Sequence, residues 1–141
     1  MTGRFSKIIY NLRASYDDDF DMITIDQRRD IKDEYLPSNM IFCQMDLFKH
    51  IYFVGDMIVP GTLILCDNGN KINEVRLLSE RLSGCCVIMA HDYFYSKEEF
   101  EQMKTWPSCE ITWNDIADLG LKPYHQDIMK KGFWLSLTNI E

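Results

Sequence analysis

Acidic and imidazole side chains stand directly after four apolar runs of this sequence. They are Asp26, Asp46, Asp67, His91 and Asp92. Carboxylates accept hydrogen bonds from hydroxyl groups and bind hard cations such as Mg²⁺, and histidine exchanges protons near neutral pH. If the fold gathers these side chains at one place, they can bind a polar ligand and accept a proton from it.

The apolar runs before these residues have the composition of β-strands. They cover residues 22–25, 40–45, 62–66 and 85–90. The run 62–66 is apolar almost throughout, which is typical of a strand buried on both faces. Apolar residues at helical spacing predict helices between and after these strands. The helices are predicted over residues 4–15, 47–58, 71–82 and 96–104, and two further strands over 110–113 and 132–138.

This alternation of strands and helices predicts an α/β fold. The sheet is expected to be mostly parallel, with an antiparallel C-terminal edge, in one domain over residues 1–141. The carboxyl ends of parallel strands meet at one edge of a sheet, and ligands of open α/β sheets bind beyond that edge. The five residues named at the outset are therefore expected to face one ligand site.

Composition restricts the classes of partner. The chain has a formal net charge of −7 and no cluster of Lys and Arg, which disfavours nucleic acid. No apolar run approaches the roughly 20 residues of a membrane-spanning helix, and the first residues lack the apolar segment of a secretory signal. Five cysteines, of which Cys43, Cys66 and Cys86 lie in apolar runs, are expected to be reduced. These features predict a cytoplasmic protein and give no support to a nucleic-acid partner.

Two strings give the sequence a family resemblance. Leu-Cys-Asp-Asn-Gly-Asn-Lys at 65–71, followed by Val-Ile-Met-Ala-His-Asp-Tyr at 87–93, resembles class I S-adenosylmethionine-dependent methyltransferases. The likeness is to the branch that includes cephalosporin hydroxylase and macrocin O-methyltransferase. It implies a Rossmann-like sheet, S-adenosylmethionine as cofactor and methyl transfer to the hydroxyl of a small molecule.

The resemblance also implies roles for single residues. It assigns Asp26 to the two ribose hydroxyls of the cofactor, Asp46 to the neighbourhood of the adenine, and Asp67 to the cofactor site. It implies Mg²⁺ held by Asp67, His91 and Asp92, where the metal would lower the pKa of a substrate hydroxyl. As an alternative, His91 serves as the general base, with Asp67 beside it.

Each role has a structural alternative. Asp26 can be a solvated strand-end residue, Asp46 a turn residue, and the pair His91 and Asp92 a cap of the following turn. The aromatic residues Trp106, Trp113, Phe133 and Trp134 are expected to pack in the core rather than line a substrate site.

The sequence departs from the family at its start. The expected first strand and most of the glycine-rich cofactor loop are missing, and of that loop only Gly3 remains. The missing strand would be central in the sheet. Three arrangements could compensate for the missing strand. The two strands beside it could pair directly, or a second copy of the chain could donate a strand in a homodimer. Alternatively, the chain is a truncated product with an altered sheet. Loss of the loop favours a second function, that of an inactive methyltransferase-like binding or regulatory subunit.

Overall fold

The computed structural model describes residues 21–27, 41–67, 69–104 and 107–140. The predicted helix 4–15, Gly3 and Trp106 lie outside the described residues. The chain divides into two compact units, residues 1–50 and residues 51–141. A single methyltransferase-like domain over 1–141 stays a prediction.

The first unit contains two parallel strands, β1 (Ile23–Asp26) and β2 (Ile41–Gln44). Both are rich in the β-branched and aromatic residues that favour extended backbone. Their register pairs Asp26 with Gln44, so that both strands end together. The backbone N–H of Met45 donates to the carbonyl of Asp26 at 3.1 Å and continues the ladder by one bond.

The second unit alternates helices and strands. In chain order its elements are α1 (Ile51–Asp56), β3 (Leu63–Cys66), α2 (Lys71–Ser79), β4 (Val87–His91), β5 (Tyr93–Phe94), α3 (Lys97–Met103), β6 (Ile111–Thr112), β7 (Lys122–Pro123), α4 (Gln126–Gly132) and β8 (Trp134–Thr138). Two 3-10 turns, Trp113–Asp115 and Ala117–Leu119, follow β6.

Four strands of this unit form one sheet in the order β3-β4-β8-β7. β3 and β4 are parallel, whereas β8 is antiparallel to both β4 and β7. The short strands β5 and β6 form a separate parallel pair. The described residues therefore form a mixed α/β structure, as predicted at the level of fold class. β8 lies inside the sheet rather than at its edge, because β7 pairs with its other side.

The core of the second unit lies around β4 and β8. Ile88 and Ala90 of β4 and Leu135 and Leu137 of β8 are fully buried. Val75 lies on α2, which packs against β4, and is likewise fully buried. Burial of these apolar side chains stabilises the sheet and fixes where its strands end.

The state of the cysteines and the lengths of the helices can be compared with the predictions. Cys66 and Cys86 are buried, and all five cysteines are free thiols. Burial raises the pKa of the Cys66 thiol, which keeps it uncharged. In the ranges that the structure describes, no helix is both long enough and apolar enough to cross a bilayer.

Candidate functional site

Asp67, His91 and Asp92 form a cluster at the carboxyl ends of β3 and β4, which we call the His91 cluster. Asp67 directly follows β3, and His91 is the last residue of β4. The parallel register pairs Cys66 with Ala90, so the next residues of the two strands are neighbours. His91 Nε2 contacts Asp67 Oδ1, and His91 Nδ1 lies 2.7 Å from Asp92 Oδ2. The imidazole ring therefore stands between two carboxylates.

Backbone and ring contacts hold this geometry. Trp134 of β8 is the register partner of His91, and the two rings meet edge to face with centroids 5.6 Å apart. Asp92 has a φ of 58°, the left-handed region in which aspartate occurs more often than most residues. This conformation separates β4 from β5 and turns the Asp92 carboxylate back to the ring that precedes it.

A buried lysine supports the cluster from one side. Lys71, the first residue of α2, is only 2% exposed. Its ammonium contacts Glu110 Oε2 and lies 3.7 Å from Asp92 Oδ2. The backbone N–H of Glu110 donates to the carbonyl of Asp92 at 3.2 Å, which places the two acids side by side. A buried ammonium needs such partners, because an isolated one is costly to remove from water.

The opposite charges of His91 and Asp67 shift the pKa values of both side chains. The hydrogen bond to Asp67 raises the pKa of His91 above its usual 6.5. The same hydrogen bond lowers the pKa of Asp67 below its usual 3.8. Both shifts favour the charged pair, in which the His91 imidazolium contacts Asp67 through Nε2 and lies 2.7 Å from Asp92 through Nδ1. Its two pKa shifts stabilise the folded state together between the usual pKa of aspartate and that of histidine.

Titration of His91 tests this arrangement. In NMR spectra we expect the wild-type imidazole to titrate above 6.5, and Asp67→Asn to bring its pKa down because the anionic partner is lost. The folded state binds the His91 proton more tightly than the unfolded chain does. This stabilisation is complete below the unfolded pKa and is lost as pH rises through the folded pKa. Identical His91 titrations in wild type and Asp67→Asn would show that the pair does not form.

The predicted magnesium site does not have the geometry of a cation cage. Three oxygen-rich ligands would converge on one point, whereas Asp67 and Asp92 contact opposite nitrogens of the His91 ring. Over the described ranges, no group of three or more His, Cys, Asp or Glu side chains is arranged to hold a metal ion. The side chains of these three residues, as they are positioned here, do not form a binding site for Mg²⁺. Magnesium binding itself stays a prediction.

Asp26 and Asp46 lie in the first unit and differ in their surroundings. Asp26 is 8% exposed at the end of β1. Asp46 Oδ1 accepts the backbone N–H of Phe48 at 3.0 Å, and its other oxygen lies 3.3 Å from Lys49 Nζ. Asp46 is thus engaged in the turn after β2, in agreement with the structural alternative for this residue. The cofactor roles of both residues, and that of Gly3 outside the described residues, stay predictions.

Two residues of the site were not identified from the sequence. Lys71 and Glu110 are 39 positions apart, and nothing in either local pattern indicates that they meet. The one available signal is the position of Lys71, which is the first residue of a helix. A cation is unfavourable there next to the positive end of the helix dipole, so an acidic partner could have been sought.

A scan of known family models, a search of curated proteins and a search of solved structures each found no match to this chain.

Proposed function

We propose that this chain is a Rossmann-like, S-adenosylmethionine-binding methyltransferase that transfers a methyl group to a small-molecule hydroxyl. The observation that carries this proposal is the His91 cluster at the carboxyl ends of two adjacent parallel strands, β3 and β4. Open α/β sheets bind their ligands at such ends. The family resemblance of residues 65–71 and 87–93, which contain all three members of the cluster, supports the same function.

Asp26 has chemistry that fits the cofactor. A carboxylate only accepts hydrogen bonds, so it can receive both hydroxyls of a ribose and leave no donor unpaired. When bound, S-adenosylmethionine supplies an electrophilic methyl group on a positively charged sulfur. The protein must then position the acceptor hydroxyl and receive its proton.

The His91 cluster can perform this proton transfer. Asp92, at 2.7 Å, holds the Nδ1 side of the ring as an N–H, which leaves Nε2 as the acceptor once the ring is neutral. Nε2 contacts Asp67, whose side chain is 52% exposed, so a substrate hydroxyl reaches Nε2 by taking the place of this carboxylate. The acceptor oxygen would take up the methyl group as bound S-adenosylmethionine gave it up, and the sulfur would keep the electron pair of the broken carbon–sulfur bond. The hydroxyl proton passes to His91 Nε2.

The inactive binding or regulatory subunit is a second candidate function. It is favoured by the carboxylates at both ring nitrogens of His91 and by the raised pKa of the ring, which oppose the loss of the proton that a general base must first give up. The two functions differ in pH dependence. A base of this kind gives methyl transfer that increases as pH rises through the raised pKa of His91, whereas a binding subunit gives no transfer at any pH.

Calorimetric titration with S-adenosylmethionine and S-adenosylhomocysteine tests the proposed cofactor. We expect saturable binding of both, and about a tenfold loss of affinity in Asp26→Asn, because an anionic acceptor is replaced by a neutral one. Asp21→Asn, an exposed acid five positions earlier, is the matched control and should bind as wild type does. The absence of heat from either ligand at millimolar concentration would overturn the proposed function. Equal affinities in the two variants would refute the ribose contact of Asp26.

The proposal includes a cytoplasmic location, which the five free thiols support because thiols stay reduced in that compartment.

The proposal also includes a homodimer in which a second copy supplies the missing central strand. In the described part of the chain β3 pairs only with β4, and Leu63 of β3 is 54% exposed. Sedimentation analysis that finds only monomer would contradict the dimer.

A further inference from the structure

A pocket of about 330 Å³ lies in the second unit between β5, α3, α4 and the turn at Trp113. Its deepest residues are Tyr93 and Phe94, which are 3% and 1% exposed. Trp113, Met129 and Phe133 also line it. Trp113 and Phe133, which were expected to pack in the core, are half-buried and border this open space. A volume near 300 Å³ is at the small end of small-molecule sites.

The pocket has aromatic walls that the backbone holds in place. The rings of Phe94 and Phe133 have centroids 4.9 Å apart and an interplanar angle of 32°. The backbone N–H of Tyr93 donates to the carbonyl of Phe133 at 3.0 Å. Phe133 has a φ of 56°, a strained conformation for a residue with a side chain. Flat apolar walls of this kind favour a planar aromatic guest, which stacks on them or meets them edge to face.

Two charged side chains lie at the rim of the pocket, and they differ in whether another group of the protein binds them. Glu99 and Lys130 are both exposed lining residues. The Glu99 carboxylate accepts the backbone N–H of Tyr95 at 3.0 Å. Lys130 forms no ion pair in the part of the chain that the structure describes. Glu99 keeps its negative charge but is held by the Tyr95 N–H, so Lys130 is the rim group that can attract the carboxylate of a ligand.

We propose that this pocket binds a small planar aromatic carboxylate, with its ring against the aromatic walls and its carboxylate at Lys130. The site is separate from the His91 cluster, because Asp67, His91 and Asp92 do not line the pocket. Ligand binding at this pocket does not require S-adenosylmethionine. An experiment can therefore refute the pocket or the proposed methyltransferase function while the other stands. The ring supplies most of the contact area, and the carboxylate supplies orientation.

Three probes of one ring system and different charge test this site by calorimetry. They are indole-3-acetate, the neutral indole-3-ethanol and the cationic tryptamine. We expect indole-3-acetate to bind most tightly and tryptamine least tightly. Lys130→Met should weaken indole-3-acetate about tenfold and leave indole-3-ethanol unchanged, because only the charged contact is lost. Lys131→Met, the adjacent exposed lysine that does not line the pocket, is the matched control and should match wild type.

Phe133→Gly tests the aromatic wall. Glycine adopts a φ of 56° without strain, so this variant removes the ring while relieving the backbone. We expect it to lose measurable binding of indole-3-acetate and indole-3-ethanol, with far-UV circular dichroism confirming the fold. Tryptamine binding as tight as that of indole-3-acetate would overturn the proposal. So would equal effects of Lys130→Met and Lys131→Met, or no binding of any probe at millimolar concentration.

Discussion

Glu110→Ala is expected to lower the free energy of unfolding by about 3 kcal/mol, at the low end of the cost of breaking a buried ion pair, because Lys71 is buried while Glu110 is partly exposed. Lys71 is 2% exposed, and its ammonium contacts Glu110. After the substitution only Asp92, at 3.7 Å, remains as a charged partner in the described structure. Chemical denaturation with urea, fitted to a two-state transition, measures the loss.

The exposed pair of Glu101 and Lys104 provides the matched control. Both side chains are more than 60% exposed, so Glu101→Ala should cost less than about 1 kcal/mol. The double variant Lys71→Met, Glu110→Leu removes both charges and should recover most of the stability lost in Glu110→Ala. If Glu110→Ala costs no more than Glu101→Ala, Lys71 does not depend on Glu110, and the support that we assign to the His91 cluster is wrong.

Phe94→Ala is expected to cost about 3–5 kcal/mol, as large-to-small changes of buried aromatic residues do. Phe94 is 1% exposed and packs edge to face on Phe100 with ring centroids 5.0 Å apart. It also contacts Phe133 on its other side. The substitution therefore removes the ring that joins α3 to the chain segment before β8. The same urea titration measures the effect.

The neighbouring residue Tyr95 is the control for Phe94. It is 65% exposed, so Tyr95→Ala should change stability by less than about 0.5 kcal/mol. Phe94→Leu should cost less than Phe94→Ala, because it leaves a smaller cavity. A loss for Phe94→Ala as small as that for Tyr95→Ala would show that β5 is not packed as described.

The regular elements with long apolar patterns were predictable from the sequence. The run 62–66 became β3 (Leu63–Cys66), and the stripe of apolar residues after Lys71 became α2. The predicted helix 96–104 became α3, and its N-cap is Ser96, whose Oγ accepts the backbone N–H of Glu99 at 3.2 Å. These features depend on local periodicity and on capping chemistry, which a single sequence contains.

Short elements and long-range pairs were not predictable in the same way. The strands β5 and β7 have two residues each, too few to give a hydrophobic period. The prediction of strand 132–138 begins two residues too early, because α4 extends to Gly132 and β8 begins at Trp134. The side chains of α4 are mostly exposed and give no apolar stripe by which the sequence would reveal this helix. The contact of Asp67 with His91 followed from the parallel strands, whereas the contact of Lys71 with Glu110 required the tertiary fold.

Binding of S-adenosylmethionine at the His91 cluster is most directly tested by following backbone amide NMR signals during a titration with this ligand. The account predicts saturable shifts of the Asp67, His91 and Asp92 signals, with unchanged signals for the exposed residues Glu101 of α3 and Lys104 directly after it. It would be contradicted if the signals of the cluster did not move at millimolar ligand, or if the saturable shifts were confined to residues away from the ends of β3 and β4.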